Sequence, residues 1–92
     1  MNNVLKHHKE ENKFVLEIED GGKAFIDYEK EEDKLHLVHS EVPPIYRGKG
    51  IGKELVLKTF EKLTQLGYTA KAHCGYVKAV KERSEKWAKI IE

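Results

Sequence analysis

The 92-residue sequence is poor in cysteine and proline, with one cysteine, Cys74, and two prolines. A single cysteine excludes an internal disulfide and a metal site built from cysteines, so Cys74 is either a buried small side chain or a reactive thiol. No apolar run approaches the roughly 18 residues that a membrane span needs, and the first residues lack the apolar core of a signal peptide. The sequence therefore predicts a cytoplasmic protein without a membrane-embedded segment.

A strong net charge is also missing, because 17 Lys and Arg balance 16 Asp and Glu for a formal net charge of +1. With 36% charged and 39% hydrophobic residues, the composition is typical of a folded domain rather than a disordered chain. A chain of this length has room for one modest core, which excludes a large multi-domain enzyme. Residues 1–46 are acidic and residues 47–92 are basic. The basic half is too weakly charged to indicate a nucleic-acid partner by itself.

The first third of the sequence has the period-two apolar pattern of β-strands. Alternation predicts strands over residues 13–18, 24–28 and 35–39, and Asp20-Gly21-Gly22 predicts a tight turn between the first two. These strands form an antiparallel meander. Residues 1–11 precede the pattern and are predicted to be a flexible N-terminal segment.

The period changes to that of helices in the second half of the sequence. Apolar spacing predicts a helix from Gly50 to Leu66, a short strand over residues 68–72, and a last helix over residues 77–91. The predicted order is β-β-β-α-β-α, an α+β fold in which the meander precedes an α-β-α segment. A single domain over residues 12–92 accounts for all of these elements.

A glycine-rich loop with interleaved basic residues, Arg47-Gly48-Lys49-Gly50-Ile51-Gly52-Lys53, joins the meander to the first helix. The first N–H groups of a helix lack internal partners and the helix dipole adds positive charge there, so this arrangement can bind phosphate. The alternative is a glycine-rich turn needed only for close packing. The loop lacks the Gly-Lys-Ser/Thr of a Walker-type loop and the glycine spacing of a dinucleotide fingerprint.

Three motifs occur in the same order as in a known family. Arg47-x-x-Gly50-x-Gly52 resembles the Arg/Gln-x-x-Gly-x-Gly/Ala motif of the GNAT superfamily of N-acetyltransferases. His39-Ser40-Glu41-Val42-Pro43 precedes this loop and Cys74-Gly75-Tyr76 follows it, as in the small single-domain GNAT-like proteins. The resemblance covers roughly residues 12–90 and implies a minimal GNAT-like fold.

The resemblance implies that acetyl-CoA is the cofactor. The strand before the loop would line the pantetheine arm with four residues, His39, Ser40, Glu41 and Val42. The loop would hold the pyrophosphate through Arg47, Gly48, Lys49, Gly50, Ile51, Gly52 and Lys53.

The resemblance also implies candidates for the chemistry. Acetyl transfer to an amine needs a deprotonated amine, donors for the developing oxyanion and a proton for the departing thiolate. His39 or Glu41 would take the amine proton, and Tyr76 would protonate coenzyme A. Cys74 would accept the acetyl group or form a mixed disulfide with coenzyme A. The structural interpretations are packing for Cys74 and Tyr76, a strand histidine bonded to a neighbour for His39, and a solvent-facing position for Glu41.

The leading hypothesis is an acetyl-CoA-dependent N-acetyltransferase whose acceptor is a small-molecule or protein amine. The alternative is a coenzyme A-binding module without turnover, because the turn at Asp20-Gly21-Gly22 leaves no room for the helices that help form the acceptor pocket in larger members. A nucleic-acid-binding domain ranks last, since the lysines of the second half are not interleaved with aromatic residues. No metal site is predicted, because His7 and His8 have no third ligand nearby. The expected assembly is a monomer or a weak homodimer.

Overall fold

The computed structural model describes residues 2–92, in which a five-stranded sheet packs against three helices. The strands are β1 Val4–His8, β2 Lys13–Glu17, β3 Lys23–Glu31, β4 Lys34–Glu41 and β5 Thr69–Ala72, and the helices are α1 Ile51–Gln65, α2 Gly75–Glu82 and α3 Glu85–Ile90. The strand order is β1-β2-β3-β4-β5, with β1 to β4 antiparallel and β5 parallel to β4. The predicted α+β fold class is confirmed.

One hydrophobic core lies between the sheet and the helices. Alternate residues of β2 and β3, such as Phe14 and Ile26, are fully buried on the face that receives α1. The apolar stripe of α1, which includes Leu55, Phe60 and Leu63, is buried against them because these residues recur at helical spacing. The opposite face of the sheet, called the outer face below, carries no helix within residues 2–92. Within the same residues, no helix is long and apolar enough to cross a bilayer.

The first strand is an element that the sequence analysis did not predict. Residues 1–11 were expected to be flexible, but Val4–His8 pairs antiparallel with β2, with Leu5 opposite Leu16 and His7 opposite Phe14. The inward side chain of His7 stacks on the Phe14 ring at 4.3 Å, and its Nε2 lies 2.6 Å from Tyr28 Oη. A histidine in an apolar position hides the alternation, so the strand was missed.

The last predicted helix is divided in the structure. Residues 77–91 were expected to form one helix, but α2 ends at Glu82 and α3 begins at Glu85. Ser84 is extended, and its Oγ accepts a hydrogen bond of 3.2 Å from the Trp87 backbone N–H. A serine in this position stabilises a new helix start, so the spacing of apolar residues continues through a break in the helix.

β4 contains a bulge, and it separates from β5 just beyond that bulge. Tyr28 of β3 pairs with Leu37 and Asp27 pairs with His39, so Val38 is an extra residue on β4. The pairing of β4 with β5 ends at Leu37, whose carbonyl accepts both the His73 and the Cys74 N–H groups, at 2.9 and 3.1 Å. The two strands therefore diverge at the point where the predicted site residues begin.

Candidate functional site

The bulge at Val38 decides which side chains of β4 face the helices. Ser40 pairs with Ile26, which is fully buried in the core, so Ser40 lies on the inner face. His39 and Glu41 pair with Asp27 and Phe25 and lie on the outer face. Regular alternation from the buried Leu37 would have placed His39 inward and Ser40 outward.

The loop between β4 and α1 has a backbone that suits glycine. A short turn at Pro44–Tyr46 leads into it, and Gly48 and Gly50 have φ angles of +76° and +77°. Side chains other than glycine are disfavoured at such angles, so these two glycines determine the course of the loop. Gly50 occupies the N-cap position of α1 and offers no side chain to the first helical N–H groups. Those N–H groups remain available to a ligand at the helix N-terminus.

Tyr46 attaches this loop to the turn between β2 and β3. Its Oη donates a 2.5 Å hydrogen bond to Asp20 Oδ1, which also accepts a 3.0 Å bond from the Gly22 N–H. The hydrogen bond from Tyr46 is the main cause that lowers the pKa of Asp20 below its usual value. A Cβ at Gly22 would collide with the Tyr46 hydroxyl, so glycine is required beneath the ring. Sequence analysis assigned Asp20 and Gly22 to a turn and missed this contact, because nothing in the local pattern indicates a partner so distant in sequence.

A cleft of about 440 Å³ brings together the inner face of β4, the loop and the start of α2. It is lined by Ser40, Val42, Tyr46, Arg47, Gly48, Gly50, Ile51, Gly52 and Tyr76. All of these except Tyr46 were predicted from the sequence as site residues. The cleft thus brings the candidate phosphate loop together with the end of β4 and with the predicted Tyr76 side chain of α2.

Cys74 lies next to this cleft at the N-cap of α2. Its Sγ is 3.2 Å from Ser40 Oγ, across the gap where β4 and β5 diverge. Partial burial raises the pKa of Cys74, but hydrogen bonding from the Ser40 hydroxyl and from the backbone N–H groups of Val77 and Tyr76 outweighs burial and lowers it. The Cys74 side chain makes no capping hydrogen bond to α2, so its contact with the Ser40 hydroxyl is the geometrically defined one. A lowered pKa increases the thiolate fraction, which is the nucleophilic form.

Tyr76 forms the wall of the cleft opposite β4. It is the second residue of α2, and its side chain is 45% exposed. A Cβ built on Gly52 would stand 2.7 Å from the Tyr76 hydroxyl, so the phenol lies directly against the first turn of α1. The absence of a side chain at Gly52 therefore gives the ring its position beside the loop.

The structure does not bring His39 and Glu41 to the cleft. Their side chains are more than half exposed on the outer face, with His39 Nε2 at 3.9 Å from Glu41 Oε1. The His39 ring also lies 6.1 Å from the ring of Phe25. The basic loop residues Lys49 and Lys53 do not line the cleft itself. Among residues 2–92, no group of three or more His, Cys, Asp and Glu side chains is arranged to hold a metal ion.

Comparison with known proteins connects this geometry to a family. The family model described as GCN5-related N-acetyl-transferase matches residues 13–90. No curated protein matches the sequence. An NMR structure of a GCN5-like candidate N-acetyltransferase from Staphylococcus aureus has a TM-score of 0.70 and 23% identity, covering 100% of this chain and 91% of that one. At this identity, the likeness to the staphylococcal protein supports the fold.

Proposed function

The chain belongs to the GCN5-related N-acetyltransferase family, and from this premise we propose that it binds acetyl-CoA in the cleft and transfers the acetyl group to an amine. The family supplies the reaction class, which is N-acetyl transfer. The observation that carries the proposal is the cleft, since a candidate phosphate loop and a half-buried thiol with a lowered pKa adjoin the same cavity.

The loop fits a pyrophosphate. Left-handed Gly48 and Gly50 leave the backbone bare on the cleft side, and the first N–H groups of α1 have no side-chain cap. Arg47 lines the cleft and adds a full positive charge. Backbone N–H groups at a helix N-terminus, together with a guanidinium, are well suited to a phosphate. We assign the pyrophosphate to Arg47–Lys53.

The free edge of β4 fits the pantetheine arm. Beyond Leu37 this edge no longer pairs with β5, so backbone groups near Ser40 and Val42 are open toward the cleft. An extended arm that contains amides can bind such an edge as an added strand would. Pro43 and Pro44 then end the pairing, because proline has no N–H to donate.

The reacting end of the ligand would lie between Ser40, Cys74 and Tyr76. Acetyl-CoA supplies an activated thioester. Cys74 Sγ would accept the acetyl group as the thioester C–S bond breaks, and Tyr76 Oη would give a proton to the departing thiolate. An acceptor amine would then take the acetyl group from Cys74, whose thiolate would leave, and the proton lost by the amine would return to Tyr76. The Ser40 hydroxyl and the first N–H groups of α2 stabilise the Cys74 thiolate before and after transfer.

His39 and Glu41 are assigned to the acceptor. Because their side chains face outward at the point where β4 and β5 diverge, they would meet an amine that approaches from the outer face. An imidazole with a carboxylate 3.9 Å away can take a proton from an ammonium group. In this arrangement the amine and the thioester reach the gap from opposite faces of the sheet.

A coenzyme A titration followed by amide NMR tests the binding. We expect changes in the amide chemical shifts of Gly48–Lys53 at sub-millimolar coenzyme A. Arg47→Gln should bind coenzyme A about tenfold more weakly, because a charge-assisted phosphate contact is removed. Lys9→Gln is the matched control, since Lys9 precedes β2 at the end of the sheet opposite the loop. Absence of shifts in the loop would refute both acetyl transfer and simple coenzyme A binding.

Mass spectrometry after incubation with acetyl-CoA tests the covalent step. An acetyl mass on the wild-type protein that is absent from Cys74→Ala supports the nucleophile, and its loss on adding an amine supports transfer. If Cys74→Ala acetylates amines at the wild-type rate, Cys74 has no covalent role.

The alternative function, coenzyme A binding without turnover, is favoured by the β2–β3 turn at Asp20–Gly22, which provides no helix to enclose an acceptor site. Binding without transfer to any amine of a broad panel would establish it.

A further inference from the structure

A second cavity, called the outer cavity below, lies on the outer face of the sheet and has a volume of about 510 Å³. It is lined by Glu29, Lys30, Glu31, His36, Val38 and His73. The last pair between β4 and β5 is Leu37 with Ala72, so Val38 and His73 are the first residues beyond the pairing. The outer cavity therefore opens where the two strands begin to diverge, on the face opposite the cleft.

Three side chains of the outer cavity form a continuous hydrogen-bonded chain. Glu31 Oε1 lies 2.9 Å from His36 Nε2, and His36 Nδ1 lies 2.8 Å from His73 Nε2. The centroids of the two imidazole rings are 5.1 Å apart, so the bonded nitrogens point along the line that joins the rings. This orientation suits a hydrogen bond rather than a shared metal ion, whose ligand lone pairs must converge on one point.

The carboxylate fixes the direction of this chain. An ionised carboxylate only accepts hydrogen bonds, so His36 Nε2 carries the hydrogen and His36 Nδ1 is left as an acceptor. His73 Nε2 must then donate to His36, which leaves the lone pair of His73 on Nδ1. Within residues 2–92, His73 Nδ1 makes no hydrogen bond or ion pair, and the side chain is exposed. The chain therefore ends in a basic nitrogen that is open to a ligand.

His39, the other imidazole near the gap, lacks this support. Its Nε2 is 3.9 Å from Glu41 Oε1, which is too long for a hydrogen bond. Both side chains are more than half exposed, so no hydrogen bond between them fixes the tautomer of the ring. A general base must hold its lone pair ready for the proton that it takes. Of these two imidazoles, His73 is the one that meets this requirement.

We propose that His73 is the base that takes the proton of the acceptor ammonium group, with His36 and Glu31 as positioning residues. This inference rests on the proposed function, which brings the amine to the gap from the outer face. The ammonium N–H bond breaks, the proton binds His73 Nδ1, and the electron pair stays on the amine nitrogen, which attacks the acetyl carbon. The second proton, lost as the C–N bond forms, goes to Tyr76, and His73 releases its proton to water.

His73→Gln tests the base by kinetics. General base catalysis contributes about 10²–10⁴-fold, so this variant should lower kcat for acetyl transfer at least about 100-fold. Its coenzyme A affinity should keep the wild-type value, because His73 does not line the cleft. Imidazole added to the buffer should restore part of the lost rate, which it would not do for a purely structural defect. His8→Gln is the matched control, since it removes an imidazole from β1 at the other edge of the sheet.

Nitrogen NMR of the histidine rings tests the positioning role of Glu31 without turnover. When the rings are neutral, long-range proton–nitrogen correlation spectra should show the hydrogen of His73 on Nε2 and an unprotonated Nδ1. Glu31→Gln should populate the opposite tautomer, because an amide can donate to His36 as well as accept from it. The kcat of this variant should fall as that tautomer is populated, since His73 then has no lone pair on Nδ1.

The outcomes separate this inference from the proposed function. Three results would each overturn the role of His73 while leaving acetyl transfer itself in place: wild-type kcat in His73→Gln, a larger loss of kcat in His39→Gln, or a hydrogen on His73 Nδ1 in the neutral wild-type protein. Absence of transfer to any amine by the wild-type protein would overturn the proposed function, and the role of His73 with it.

Discussion

Gly52→Ala is expected to weaken coenzyme A binding in the cleft while changing the stability of the fold very little. Gly52 lies in the first turn of α1 and does not have a positive φ, so alanine can adopt its backbone conformation. Its Cβ would stand 2.7 Å from Tyr76 Oη and 3.0 Å from each of two ring carbons. The Tyr76 ring must therefore turn, and the new methyl group occupies the cleft wall beside the loop.

The two effects on folding nearly cancel. Alanine favours the helix over glycine by up to about 1 kcal/mol. Turning the Tyr76 ring away from its preferred rotamer costs about 0.5–1.5 kcal/mol. The free energy of unfolding should change by less than about 1 kcal/mol, or no more than about 8 °C in Tm for a chain of this size. Coenzyme A affinity should fall at least about tenfold, since the methyl group hinders approach to the loop amides and a hydrogen bond to a charged group contributes about 1.5–3 kcal/mol.

Thermal unfolding by circular dichroism and coenzyme A titration by calorimetry measure the two quantities. Gly75→Ala is the matched control, because it also lies in the first turn of a helix and its Cβ would have no neighbouring atom within 4 Å. This control should keep wild-type affinity. Wild-type coenzyme A affinity in Gly52→Ala would refute the placement of the ligand against Gly52. A decrease of more than about 3 kcal/mol in the free energy of unfolding would show that the Tyr76 ring cannot move.

Three further predictions concern Cys74, His7 and Val38. Ser40→Ala removes the hydroxyl 3.2 Å from Cys74 Sγ, so the pKa of Cys74 should rise and its alkylation by iodoacetamide should need a higher pH; an unchanged profile contradicts the contact. Burial and nearby cations hold the pKa of His7 below 6.5, so urea unfolding should show stability falling as the pH drops through and below 6.5, a slope that His7→Phe should lose. Deleting Val38 should leave coenzyme A binding and the sheet signal in circular dichroism nearly unchanged, because Leu37, His39 and Ser40 then alternate regularly with Ser40 still inward; loss of binding contradicts the assignment of Val38 as the extra residue.

Much of the fold was predictable because its signals are local. The apolar spacing of α1, with Leu55 and Phe60 on one face, and the alternation of β2 and β3 both appear in the sequence. The loop after β4 was recognisable because Gly48 and Gly50 are needed where the backbone adopts a positive φ.

Other elements were missed because a long-range contact stabilises them. His7 belongs to an inward-facing strand only because Phe14 and Tyr28 receive its ring and its nitrogen. The attachment of Tyr46 to Asp20 joins residues 26 positions apart, which no local pattern could indicate. The break at Ser84 was local, but the apolar spacing that continues across it was the stronger signal.

The amino-acid sequence alone specifies the chemical groups of this protein, namely a loop of glycines and cations and one thiol, and it places the chain in its family. Which side chains share the cleft depends on the tertiary structure. Strand alternation has a period of two, so the single extra residue at Val38 exchanges the faces of all the residues that follow it in β4. Ser40 therefore meets Cys74, and His39 with Glu41 faces the other side of the sheet.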